Sequence, residues 1–154
     1  MLYDSSVLID YLDGREDAVA CVESHLDERA VTPQLALFEV YQGEVFKSGS
    51  ADFDAVDGAL SWLTPVESSA GFARAGAQVQ AELHRRGEVL AARDALIAGA
   101  ALALDEPLVV ADGDFAVAGL SDLLDVEFPY RTDGGDMPTS ANVQGDSPEE
   151  GEDS

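Results

Sequence analysis

The chain has 154 residues, 46% of them hydrophobic, which suits one domain with a real core and a short appendage. Its formal net charge is −23, from 31 acidic against 8 basic residues, so nucleic-acid binding cannot be argued from overall charge. No apolar run approaches the ~20 residues that span a bilayer, no secretory leader pattern opens the sequence, and a single cysteine, Cys21, excludes an internal disulfide.

Residues 2–4 read as a short strand. Ser5 or Ser6 can cap a helix that runs to about Leu12 and ends at Gly14. A second helix is expected over 15–28, and its apolar face holds Cys21 as a buried, inert thiol. A short strand follows at 30–32. Pro33 opens a third helix to about Lys47. A fourth helix covers 51–63 with Ser50 as its cap, and a short strand covers 64–67. Helices at 69–86 and 88–104 lead to a fully buried strand at 107–111, and 123–128 forms the last strand. His25 and His84 sit in polar helical contexts that predict solvent-facing rings.

Strands alternating with helices predict an α/β fold, a three-layer α/β/α sandwich with a mainly parallel central sheet. That body occupies residues 1–130. From Arg131 the sequence turns to Gly, Ser, Pro and acid with almost no core former, so 131–154 is expected to be an acidic disordered tail. Absence of a leader, of a spanning segment and of disulfides favours the cytoplasm. Lys47 is the only lysine. A normal core under so acidic and lysine-poor a surface looks like adaptation to molar salt, where the Debye length is ~3 Å.

Four acidic residues interrupt apolar runs: Asp4, Glu39, Asp94 and Asp112. An unpaired buried carboxylate is costly, so such a group is paired or holds a cation. Asp4 follows the first strand, and Asp112 follows the strand at 107–111; sites in parallel sheets gather at such ends. Each also has a plain structural reading, Asp4 as a helix cap and Asp112 as a turn residue. Leu90, Asp94, Ile97, Ala101 and Leu104 form one helical stripe, so Asp94 lies on an apolar face. A buried ion pair with a distant arginine is its alternative. Arg93 is expected to point elsewhere, because adjacent helical residues diverge by about 100°. Glu39 is the only charged residue between Pro33 and Glu44, and a surface glutamate is its alternative. Ser6 can orient Asp4 by a hydrogen bond. Asp114 competes with Asp112. Arg85 and Arg86 with Arg93 are the nearest approach to a basic cluster.

Together these segments resemble the PIN-domain family, in particular the VapC-type toxins of toxin–antitoxin pairs. The resemblance runs from Leu2 to about Phe128. It is carried by the opening YDSSVLIDYL, by TPQLALFEVYQG, and by AARDALIAGAALALDEPLVVADGDF. One departure is Val110, where the family usually has Thr or Ser two residues before its last acid. By position, the resemblance implies that Asp4, Glu39, Asp94 and Asp112 form an acidic site for Mg²⁺ or Mn²⁺. It further implies endoribonuclease activity, a homodimer and a cognate antitoxin partner.

Other readings remain open. A haloacid-dehalogenase-type phosphatase needs a second Asp where Ser6 stands, and a response-receiver domain needs a late lysine that the sequence lacks. A PIN-like module that only binds protein, with structural carboxylates, is the remaining competitor, together with an RNA-processing nuclease outside a toxin–antitoxin pair.

Overall fold

The computed structural model describes residues 1–130; the expected tail lies outside the described residues. Five short strands form one sheet: β1 (Leu2–Tyr3), β2 (Val31–Pro33), β3 (Thr64–Val66), β4 (Leu108–Val109) and β5 (Val126–Glu127). Their order is β3-β2-β1-β4-β5, and every neighbouring pair is parallel. Leu2 pairs with Val31 on one side and Leu108 on the other. The three central strands are buried and, but for Thr32, apolar, as a parallel sheet covered on both faces demands; the Thr32 hydroxyl donates to the Tyr3 carbonyl at 3.0 Å.

Successive strand residues point to opposite faces, and here they enter two separate cores. Leu2, Leu108 and Val110 join the core built with α5 (Ala70–Arg85) and α6 (Ala92–Leu104). Tyr3, Val109 and Ala111 join the other, with α1 (Ser5–Leu12), α2 (Glu16–Glu23) and α4 (Phe53–Ala59). The third helix, α3 (Gln34–Val45), gives Ala36 to the first core and Val40 to the second. This is the three-layer sandwich expected from the alternation of strand and helix patterns.

Helices α5 and α6 touch through backbone. A Cβ built on Gly99 would collide with the backbone of Gly76 and lie 2.8 Å from the Phe72 carbonyl oxygen; one on Gly76 would lie 2.9 Å from the Ala95 oxygen. Small residues along α6 make this approach possible.

Several boundaries differ from expectation for identifiable reasons. Helix α6 starts at Ala92, not 88, because Gln80 grips Leu90 outside the helix. Its amide donates to the Leu90 carbonyl at 2.6 Å and accepts from the Leu90 N–H at 3.1 Å. Leu90 is buried but belongs to this extended approach. Helix α2 stops at Glu23, not 28, where Ser24 Oγ and His25 Nδ1 both reach the Cys21 carbonyl at 2.8 Å and compete with the helical bond. Asp52 rather than Ser50 caps α4, accepting from the Ala55 N–H at 3.0 Å. Pro33 ends β2, and its extended backbone leads into α3 at Gln34. The last strand is only Val126–Glu127, and two 3₁₀ turns, Gly113–Phe115 and Ala118–Asp122, fill the preceding stretch.

Candidate functional site

Strand order reverses at β1. The chain moves to β2 on one side and later returns to β4 on the other, which opens a crevice at the carboxyl ends of β1 and β4. Asp4 follows β1 directly, and its N–H donates to the Val109 carbonyl at 3.0 Å. It is 1% exposed. Its carboxylate caps α1, accepting from the Ser6 N–H at 3.3 Å and the Ser6 hydroxyl at 2.8 Å. The capping reading of Asp4 therefore holds, and the same carboxylate also faces the crevice side of the sheet where Arg93 reaches it. Ser6 does more than orient Asp4: its Oγ also accepts from the Ala111 N–H at 3.1 Å, joining the ends of β1 and β4.

Glu39 projects from α3, the helix that straddles both cores, and Asp94 lies in the first turn of α6. A carboxylate in a first turn is favoured by the helix dipole. The Asp94 side chain is nearly buried and that of Glu39 about a third exposed.

All three carboxylates converge on one guanidinium. Arg93 Nη2 lies 2.8 Å from Asp4 Oδ1 and 2.6 Å from Glu39 Oε1. Its Nε donates to both Glu39 oxygens, at 2.8 and 3.0 Å, and its Nη1 to Asp94 Oδ1 at 2.7 Å. Nη2 also donates to Ser5 Oγ at 2.9 Å. Arg93 thus does not point away from Asp94. A helix fixes where the Cα–Cβ bonds of neighbours aim, but not where a long side chain ends. The ion pair weighed for Asp94 exists, with the adjacent arginine instead of a distant one. Arg93 is also no part of a cluster with Arg85 and Arg86, which pair with Glu82 and Asp122.

Burial alone would pull the Arg93 guanidinium down. Hydrogen bonds to Glu39, the charge of Asp4 and bonds to Asp94 and Asp4 outweigh it and hold the group well above its ordinary range. Asp94 is shifted the other way from most paired acids. Burial pushes it up, Arg93 pulls it down, and the charges of Asp112 and Asp4 push it up again, leaving it raised.

Asp112 stands at the rim, half-buried, where it caps the 3₁₀ turn and accepts from the Asp114 N–H at 2.9 Å. Its charge acts on Asp94, so it belongs to the same electrostatic neighbourhood. Asp114 is exposed and serves Asp112 through its backbone. Val110, in place of a hydroxyl residue, is fully buried in the first core. Sequence reasoning missed Arg93 as a site residue. The available signal was that it is the sole basic residue between Arg86 and Arg131. His84 is exposed and His25 half-buried, and neither is among these groups.

Among the described residues, no group of three or more Asp, Glu, His or Cys side chains stands ready-spaced around an ion. The carboxylates are spread about the wider guanidinium.

The sequence model of the family described as PIN domain matches residues 1–120. The chain belongs to the PIN-domain family. Solved structures agree with this PIN fold. The VapBC2 structure from Rickettsia felis, bound to a DNA fragment from its promoter, contains a chain 20% identical to this one, with a TM-score of 0.68 over 82% of this chain and 98% of that chain. A toxin–antitoxin complex from Klebsiella pneumoniae is similar at 22% identity, TM-score 0.66, covering 85% and 98%. FitAcB from Neisseria gonorrhoeae is similar at 19% identity, TM-score 0.68, covering 83% and 96%. No curated protein matches the chain. Among the described residues of this PIN domain, no helix is long and apolar enough to cross a membrane.

Proposed function

We propose that this PIN domain is a divalent-metal-dependent endoribonuclease, acting in the cytoplasm as the toxin of a type II toxin–antitoxin pair. One observation carries the reading: Asp4, Glu39 and Asp94, from three distant segments, meet at one point beside the β1–β4 crevice. The membership in the PIN family supports it. The antitoxin partner is inferred from likeness to structures described as VapBC and toxin–antitoxin complexes; a homodimer is proposed from membership in the PIN family alone.

The donor set fits a hard divalent cation, since Mg²⁺ and Mn²⁺ take carboxylate oxygens. A cation already gathers three of these carboxylates, which is the chemistry expected of an ion site. Asp4, Glu39 and Asp94 would hold the ion, with Asp112 completing the site from the rim. When bound, a divalent ion supplies positive charge that activates water and offsets charge building on the scissile phosphate. The protein's own part is positional. Ser6 fixes the Asp4 carboxylate and ties it to the strand that leads to Asp112. The low polarity around Asp4 and Asp94 strengthens whatever electrostatic contacts form there. No serine, cysteine or histidine nucleophile is needed.

The acidic surface repels RNA at low salt, so the reaction belongs at high ionic strength, in keeping with a protein adapted to salt. The test is cleavage mapping of RNA at molar KCl with Mn²⁺, comparing wild type with Asp4→Asn. Equal cleavage by both proteins overturns the assignment. A second reading, a non-catalytic protein-binding module, is favoured by the fact that Arg93 already satisfies the carboxylates. Calorimetry with Mn²⁺ separates the two, because the module binds no ion.

A further inference from the structure

Arg93 occupies the position that the proposed site reserves for its cation. We propose that Arg93 is an internal competitor for the divalent ion, and that loading of the site requires its guanidinium to swing out. This rests on the metal-nuclease reading above and adds a regulatory element to it.

The geometry supplies the reasons. Each of the three guanidinium nitrogens donates to a site carboxylate, and the contacts involve one oxygen of Asp4, one of Asp94 and both of Glu39. The second Asp4 oxygen is held by Ser6. Five of the six oxygens of these carboxylates are therefore already committed. Spacing also sets the two cations against each other. The carboxylate oxygens lie 2.6–3.0 Å from guanidinium nitrogens. Mg²⁺ demands oxygens at ~2.0–2.1 Å in near-octahedral array. One arrangement cannot serve both, so the carboxylates must close in as the arginine leaves.

Charge gives the exchange a driving force. Three carboxylates around one guanidinium leave two negative charges unmatched, and Asp112 adds to them. A divalent cation in the guanidinium's place offsets one more of these negative charges than the guanidinium does. An exit exists as well. The Arg93 side chain is 28% exposed, whereas those of Asp4 and Asp94 are 1% and 5%. The arginine is the partner nearest to water and leaves by rotation of its own side chain, after which the acids close on the ion. High salt does not abolish the contest, because partly buried pairs are screened much less than exposed ones.

The experiment is a Mn²⁺ titration of the full chain at molar KCl, followed by calorimetry, on wild type, Arg93→Gln and Arg93→Lys. The expected result is Mn²⁺ binding about tenfold or more tighter in Arg93→Gln than in wild type, with Arg93→Lys between them, since lysine keeps the charge but loses the planar fork. A melting series gives a second readout: in chelator Arg93→Gln melts below wild type, and Mn²⁺ raises its melting temperature by more than it raises that of wild type. Should Arg93→Gln prove unfolded in chelator, Arg93→Lys carries the comparison. Equal or weaker Mn²⁺ binding by the folded variants overturns the competitor role while leaving the nuclease reading intact. No Mn²⁺ binding by wild type or either variant overturns both.

Discussion

Nη2 of Arg93 lies 2.8 Å from Oδ1 of Asp4, across 89 residues of sequence. That contact joins the start of α6 to the end of β1 and brings the acidic groups of three segments under one charge. It also explains how Asp4 can be 1% exposed without being an orphan.

Asp94→Asn should cost activity and not stability. Loss of a proposed ion ligand is expected to lower Mn²⁺-dependent RNA cleavage by more than the ~10–100-fold typical of an outer-shell change. The stability effect follows from the raised Asp94 pKa. A carboxyl raised in the folded state contributes fully below its ordinary value of 3.8, and that contribution is lost as pH rises through the higher folded value. The variant lacks this loss. Its melting temperature, relative to wild type, should therefore climb as pH rises from the ordinary value of 3.8 through the raised folded value. A relative fall over that range would contradict the burial argument.

Ser6→Ala removes a hydroxyl that donates to Asp4 and accepts from Ala111. The expected cost is ~1 kcal/mol of stability in urea unfolding. Mn²⁺ affinity should fall ~10–100-fold, the range for residues that orient a ligand. Unchanged affinity would show that Asp4 keeps its orientation through its cap on α1 alone.

Two glycine substitutions should have opposite signs. Gly99→Ala places a methyl group against the backbone of Gly76 and Phe72, and should destabilise by at least ~1–3 kcal/mol, as overpacking does. Gly58→Ala, in α4, meets nothing within 4 Å and has no left-handed backbone to strain. It should stabilise by ~0.5–1 kcal/mol, the helical advantage of alanine. Chemical denaturation of the pair gives the comparison directly.

Salt should stabilise the folded chain. With 31 acidic and 8 basic residues, repulsion at low ionic strength is weakly screened, since the Debye length is ~30 Å at 0.01 M and ~3 Å at 1 M. Thermal melts in increasing KCl should show a rising transition temperature. A flat series would argue against adaptation to salt.

The sequence reveals Asp94 most directly, because its neighbours on the stripe, Ile97 and Ala101, are apolar and prove fully buried. Asp4 is legible from a strand followed at once by a helix. Glu39 is visible chiefly through order and resemblance. The helix that bears it feeds two cores, so its apolar positions trace no single face. Arg93 escapes notice because residue spacing governs where side chains begin, and the reach of an arginine decides where this one ends. The Gln80–Leu90 clasp that delays α6 is equally invisible, since it depends on one amide meeting a backbone brought near by the fold.

The glycine seam between α5 and α6 has a consequence for how the pocket can change. Backbones in direct contact cannot slide or separate without losing the packing that holds α6 on the sheet. The scaffold beneath Asp94 and Arg93 is accordingly stiff, and opening of the pocket reduces to torsions within one long side chain. Such rearrangements are local and fast, so divalent-ion uptake should proceed without the slow phase that a shifting helix would impose.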